Sequence, residues 1–393
     1  MKYPAIRFKD PRGADFPVWV QSNVGSLCKL YQSTTLSKRS LDNSGPYAVY
    51  GANGIIGRHS EFNHEKSEVV VSCRGDCGSI HLTRPFSWIN GNAMVVHSKD
   101  ESILNKIFLS YLLLVQDFKP IITGGAQPQI TRSDLSSLRI SFPCLQEQQR
   151  IAEFFSMLDE KIAASESRLE ILERLREGLV QNIFRKNSNY RQGLSSRSCE
   201  WGIAKLGDVA EIKGRIGFRG YSRSDISDKD NGVISLSPGN IDRGRVCIEK
   251  GTYISREKFE ESPEIKVGCG DILFTKTGST VGKVGMFREL CLEATINPQI
   301  AIIKATNVNS CYLMNYLLSY DAKQYISSIT VGGALPTISQ KELSKMLVPV
   351  PSREEQEKIA SLFFEVDKKI ELSLEKITVL EKLKQGLLKQ MFI

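Results

Sequence analysis

Between residues 145 and 184 the apolar positions step alternately by four and three, through Ile151, Phe155, Leu158 and Ile162, then Ser165, Leu169 and Leu172. The same steps return at Ile359, Phe363, Val366 and Ile370, then Ser373, Ile377 and Leu380. A mean step of about 3.5 residues marks a narrow seam shared with a second helix, whereas a core-facing stripe is broader. Both seams hold a serine near the middle, where a polar residue sets register at some cost in stability. Beyond Leu172 and Leu380 the pattern predicts a slip, to Leu175, Leu179, Ile183 and to Leu383, Leu387, Met391. Gly178 and Gly386 fall at matching places, and each costs its helix about 1 kcal/mol. They are expected to mark a close approach or a bend. Pro143 and Pro351 bar the preceding residues from helix. Ser352 and Glu355 form a capping-box pattern, and Cys144 is a weaker cap in the first copy. Each helix, about 37 residues long, would span about 55 Å at 1.5 Å per residue.

The seams belong to a longer repeat. Residues 124–184 and 332–392 align without a gap, with roughly 23 of 61 positions identical. The opening Trp19-x4-Val24-Gly25 also returns, as Trp201-x4-Leu206-Gly207. The chain is therefore two copies of one block, a globular lobe followed by a long helix. The predicted boundaries are lobe 1 at 1–143, a first helix at 144–186, lobe 2 at 187–346 and a second helix at 347–393, with residues 185–198 a polar linker. Related seams in one chain most simply pack antiparallel on each other, giving pseudo-twofold symmetry. Within lobe 1 the pattern predicts strands at 68–73 and 93–97 around a turn at 74–78, then a short apolar helix at 102–115. Lobe 2 repeats this order, with Asn297 matched to Asn92 and a short helix at 312–320. Alternating short strands and helices predict mixed α/β (α+β) lobes.

Composition narrows the class. No run of 18 apolar residues and no charged-then-apolar leader occurs, so a soluble, unsecreted, cytoplasmic protein is expected, without a membrane partner. Nine scattered cysteines suit reduced thiols better than a disulfide framework. The net charge of +8 divides as +5 on residues 1–143, −1 on 144–186, +4 on 187–346 and 0 on 347–393. Two basic lobes on a neutral spacer suit a polyanion touched at two separated places.

The candidate contacts follow from that charge. In lobe 1 they are Lys38, Arg39, Tyr50, Arg58 and Arg74, with Tyr47 beside them, all expected to be exposed. In lobe 2 the stretch 211–225 interleaves Lys213, Arg215, Phe218, Arg219, Tyr221 and Arg223 with glycines. Arginine suits phosphates and guanine edges, and aromatic rings offer stacking faces, so this is the strongest local nucleic-acid signal. Lys276 and Lys283 flank a turn further on.

Chemistry of other kinds fails on spacing. Residues 278–284, GSTVGKV, have three residues between the glycines and valine after the lysine, so they are not a Walker loop. NPQI at 297–300 lacks the second proline and aromatic of an adenine methyltransferase motif. Glu264-Ile265-Lys266 is half of a nuclease pattern without its acidic partner. Cys73, Cys77 and His81 have helical spacing on a stretch that reads strand-turn-strand, which removes the geometry a metal needs. All four histidines, His59, His64, His81 and His97, lie in lobe 1, so a catalytic base among them would leave lobe 2 without one.

Three repeated motifs carry a resemblance over essentially the whole chain. They are the GGAxPxI segments, the Pro-x3-Glu-Gln helix starts (Pro143, Glu147, Gln148; Pro351, Glu355, Gln356) and the Leu-x2-Gly-Leu endings (Leu175 to Phe184; Leu383 to Phe392). With the tryptophan openings, they make the chain resemble the specificity subunit of type I restriction-modification enzymes. The resemblance implies two target recognition domains, each reading half of a split sequence in double-stranded DNA, with the paired helices as a ruler. It implies two modification subunits carrying S-adenosylmethionine, and restriction subunits using ATP and Mg²⁺. It implies no cofactor and no catalytic residue in this chain. Two other readings remain: a coiled-coil scaffold whose lobes bind acidic proteins, and an enzyme built on the cysteines and histidines of lobe 1.

Overall fold

The computed structural model describes residues 4–185 and 201–392, except 43, 126, 216–219 and 250. Most of the predicted linker, and Phe218 and Arg219, lie outside the described residues. Two compact units emerge, Met1–Glu166 with Glu375–Ile393, and Ser167–Leu374. Each unit therefore holds one lobe with part of both long helices. No helix among the described residues is long and apolar enough to cross a membrane.

In unit 1 a four-stranded antiparallel sheet runs in the order Cys28–Gln32, Ala93–Ser98, Val69–Ser72, Ile80–Leu82. A second sheet pairs Tyr47–Gly51 in parallel with Ser87–Ile89 and antiparallel with Gly54–His59. The apolar runs VVV and MVV are buried on both faces, which is why they do not alternate. Below them lies the helix Lys106–Leu114. It starts four residues later than the apolar run suggests, because the Asn105 side chain caps it by accepting from the Phe108 amide.

Unit 2 repeats this plan. The strands Ala210–Lys213, Ile300–Ala305, Ile272–Thr275 and Val284–Met286 take the order of the four strands of lobe 1. Val233–Leu236 pairs in parallel with Ala294–Ile296, as Tyr47–Gly51 pairs with Ser87–Ile89. Lobe 2 extends the first sheet by a hairpin, Ile241–Asp242 and Gly244–Val246. Its helix Ser310–Leu317 is capped by Asn309 as its counterpart is by Asn105. The repeated glycine of each lobe opening has a packing reason. A Cβ on Gly25 would lie 1.8 Å from Ser136 Oγ, and one on Gly207 would lie 3.1 Å from Ser344 Cβ.

The long helices run Leu145–Phe184 and Arg353–Met391 and pack antiparallel. None of the ten seam residues Leu158, Ile162, Ser165, Leu169, Leu172, Val366, Ile370, Ser373, Ile377 and Leu380 is exposed. The capping box at Ser352 and Glu355 is formed, with hydrogen bonds of 3.1 and 3.3 Å. In the first helix Glu147, fully buried, instead receives Arg7 through bonds of 3.0 and 2.6 Å.

The predicted slip of the seam does not occur. Leu175 and Leu383 are 49% and 48% exposed, while Arg176 is buried at 8% and Lys384 is half-buried. The four-three rhythm continues through Leu172, Arg176, Leu179, Ile183 and through Leu380, Lys384, Leu387, Met391. Cations take seam positions because carboxylates face them. In unit 2 Arg176 Nε donates to Asp367 Oδ1 at 2.5 Å, and in unit 1 Lys384 Nζ donates to Asp159 Oδ1 at 2.5 Å. The two pairs are equivalents under the 208-residue repeat. Gly178 and Gly386 mark no close approach, since a Cβ on either meets nothing within 4 Å.

Candidate nucleic-acid interface

In each lobe three loops from distant parts of the chain are stitched together by backbone hydrogen bonds. In lobe 1 Cys73 N donates to Asn92 O at 3.0 Å, and Cys73 O accepts from Ile130 N at 3.1 Å. In lobe 2 Lys276 N donates to Gln299 O at 2.8 Å, and Lys276 O accepts from Ile338 N at 2.9 Å. The third loop is the repeated GGAxP segment, a tight hairpin in both. Thr123 and Gln129 exchange bonds of 2.9 and 2.8 Å, and Val331 and Thr337 exchange bonds of 3.0 and 2.8 Å. Its first glycine is obligatory, with φ of +87° at Gly124 and +95° at Gly332. A Cβ there would fall 2.5 Å from Gln127 O or 2.8 Å from Leu335 O.

The backbone frame is shared, but the side chains it carries are not. Equivalent positions hold Cys73 and Lys276, Arg74 and Thr277, Asp76 and Ser279, Asn92 and Gln299, Gln129 and Thr337. The frame also corrects one alignment. Ala93 N bonds to Asn90 O as Ile300 N bonds to Asn297 O, so Asn297 corresponds to Asn90 and not to Asn92. In both, the asparagine carboxamide accepts from the loop that follows it, from Gly91 N at 2.8 Å and from Gln299 N at 3.0 Å.

Several predicted contacts fall on this frame. Arg74 and Lys283 are exposed on the central turn of their lobes. Lys276 is half-buried, and desolvation holds its amine below the usual lysine range. Gln340 and Lys276 crowd Gly214, whose Cβ would lie 2.3 Å from Gln340 Nε2 and 3.5 Å from Lys276 Nζ. The next residue, Arg215, donates to Ile296 O at 3.2 Å and lies 5.9 Å from the half-buried Tyr221 ring. Burial lowers its pKa.

The other candidates are dispersed. Lys38 and Arg39 are exposed on a short turn, Lys38–Ser40, and Arg223 on another, Arg223–Asp225. Lys213 is engaged by Glu211 at 2.7 Å. Arg58 is half-buried and binds the carbonyls of Gly45 and Pro46, which fixes the loop before Tyr47. Tyr50, expected on the surface, is 5% exposed, and its hydroxyl accepts from Arg84 N at 3.1 Å. It sits on the central strand of the three-stranded sheet, paired along both edges, and its side chain is buried, so it is a core residue. Tyr47 is half-buried, its ring 5.0 Å from that of Phe62.

Asn92, Gln129 and Gln299 on this frame, and Gln340 against it, were not among the residues picked out as contacts from the sequence. Neutral amides carry no charge signal, although the GGAxP repeat pointed at two of their loops. Among the described residues no three His, Cys, Asp or Glu side chains converge on a metal-sized site. Burial pushes the Cys77 thiol up, and its sulfur contacts Pro128 O at 3.1 Å. A thiol so held is a poor nucleophile.

The family described as "Type I restriction modification DNA specificity domain" matches residues 18–174 and again 199–382. The type I restriction enzyme MjaVIII specificity subunit of Methanocaldococcus jannaschii is 22% identical, over 98% of this chain and 95% of its own length. The EcoDI specificity subunit of Escherichia coli is 23% identical over 87% of this chain and 79% of its own. A crystal structure of the S subunit of a type I restriction-modification system from M. genitalium shares the fold. Its TM-score is 0.69 at 20% identity, covering 100% of this chain and 99% of that one.

Proposed function

Because the chain belongs to the type I restriction-modification DNA specificity family, we propose that each of its lobes reads one half of a bipartite target in double-stranded DNA. The observation that carries this reading is the pair of three-loop frames, alike in backbone and unlike in side chains. Two lobes that dock alike on a duplex but read different bases need that combination. Phosphate contacts fix position, and base-edge contacts from varied side chains specify sequence. Asparagine and glutamine suit adenine edges, and arginine suits guanine. The long helices act as the spacer between the half-sites. S-adenosylmethionine, ATP and Mg²⁺ belong to partner subunits, and this chain contributes recognition without catalysis.

Two modification subunits dock on the outer faces of the helices. Ile171 and Leu175 are 65% and 49% exposed, and their repeat equivalents Val379 and Leu383 are 63% and 48% exposed. An apolar pair kept open at two equivalent places suits the same partner bound twice. Ile171→Glu with Val379→Glu is expected to abolish co-purification of the modification subunit while the melting temperature stays within a few degrees. Undiminished capture would put the docking surface elsewhere.

The test is single-molecule sequencing of adenine methylation after co-expression with the cognate modification subunit. A methylated split motif is the expected result. Exchanging the three loops of lobe 2 for those of lobe 1 should then turn the second half-site into the first. A stable complex that methylates an unsplit or random set of adenines would overturn the reading. Binding to an acidic protein, with no DNA binding and no methylation, would favour the scaffold alternative.

A further inference from the structure

Lobe 2 is longer than lobe 1, and two of its additions meet at one place. Ile272 follows Leu236 by 36 positions, where the equivalent Val69 follows Tyr50 by 19. That extra chain includes the hairpin Ile241–Asp242 and Gly244–Val246, which widens the sheet. The second addition is the helix Tyr320–Ile329, where lobe 1 has only a three-residue turn, Lys119–Ile121. Both additions line one open cleft of about 650 Å³ against the glycine-rich turn 278–283.

The lining of this cleft is basic and polar. Arg243 comes from the hairpin, Lys323 from the added helix and Lys283 from the turn. The hydroxyl residues Ser279, Ser327 and Thr330 also line it. Among the described residues no carboxylate lines it, although Arg243 is paired with Glu173 beside it. Lys283 and Lys323 are exposed. Arg243 sits at the tip of a two-residue hairpin turn with φ of +43°, followed by Gly244 at +88°. Such turns favour Asn-Gly, and a long side chain in the left-handed region carries a steric cost. Backbone strain of this kind collects at functional positions. The turn itself has both its glycines at positive φ, +108° at Gly278 and +88° at Gly282. It is the stretch that failed as a nucleotide loop on spacing, and it faces an open surface.

We infer that this cleft binds a backbone phosphate of the DNA flanking the second half-site, an anchor that lobe 1 lacks. The inference rests on the DNA-reading function proposed above. Two exposed lysines and a row of hydroxyls, beside an arginine already paired with Glu173, suit a phosphodiester, and an open cleft admits a continuous strand. The contact carries no sequence information, because every nucleotide offers the same phosphate.

The test uses the complex with its cognate modification subunit and a duplex carrying the methylated motif. Lys283→Gln with Lys323→Gln removes two exposed charges without touching the core. Affinity is expected to fall about tenfold near 0.1 M salt, and the slope of log K against log salt to flatten by about 2. The methylated motif should be unchanged. If the wild-type complex binds the duplex and the variant matches it in affinity and slope, the cleft is not an anchor. If the variant changes the motif, the cleft reads bases and the phosphate assignment fails. If the wild-type complex binds no DNA at all, the reading of the lobes falls first, and the anchor with it.

Discussion

Asp367→Asn is expected to destabilise unit 2 by about 3–5 kcal/mol, the usual cost of removing one partner from a buried ion pair. Asp367 is 2% exposed and serves two guanidinium groups, Arg176 at 2.5 Å and Arg288 at 2.8 Å. Arg176 is buried, so its charge has little access to water once the carboxylate is gone. A second nitrogen, Nη2, already donates to Asn315 Oδ1 at 2.9 Å. The network joins both long helices to the sheet and the short helix of lobe 2.

The equivalent change in unit 1, Asp159→Asn, should cost about 1 kcal/mol or less. Asp159 is 40% exposed, and Lys384 is 21% exposed. The Tyr111 hydroxyl, which donates to Asp159 Oδ2 at 2.7 Å, can donate to an amide oxygen as well. Chemical unfolding of both variants separates the cases. Arg176→Met with Asp367→Met should recover most of the loss, because apolar packing often replaces a buried pair without penalty. Equal losses for Asp367→Asn and Asp159→Asn would show that burial does not govern the seam pairs.

Deleting one heptad from each long helix, residues 164–170 and 372–378, is expected to change the spacing of the bipartite motif and leave both half-sites intact. Seven residues preserve the four-three rhythm, so Asp159 still meets Lys384 and Arg176 still meets Asp367. The helices shorten by about 10 Å at 1.5 Å per residue, which corresponds to about 3 base pairs at 3.4 Å each. Deleting four residues instead rotates the seam out of phase and should prevent assembly. Methylation sequencing reads the result directly. An unchanged spacing in an assembled, active complex would mean that the helices do not set it.

Much of this was legible in the chain. Two copies of one block, the seam of each helix and the mixed lobes follow from periodicity and repetition, because those signals are local or lie at one constant offset. The resemblance rested on short repeated motifs, and three of them have visible packing roles. Gln148 and Gln356 are buried and bond the chain just before the short helix of each lobe, at Asn105 N and Asn309 N, each at 2.8 Å. Gly25 and Gly207 admit a serine, and Gly124 and Gly332 turn a hairpin.

What the sequence could not decide is where groups without a local signal find partners. Arg176 and Lys384 read as polar residues, so the seam seemed to slip; only the facing aspartates make a cation a seam residue. Tyr50 read as a surface ring beside basic residues, but it lies on the central strand of its sheet and is buried. The three-loop frames join residues separated by more than fifty positions, as Cys73 and Ile130 are, through backbone groups that every residue possesses. The cleft in lobe 2 gathers Arg243, Lys283 and Lys323 from three unrelated segments. Repetition and period are written along the chain, whereas charge pairing and convergence exist only once the sheets and helices have brought distant residues within reach.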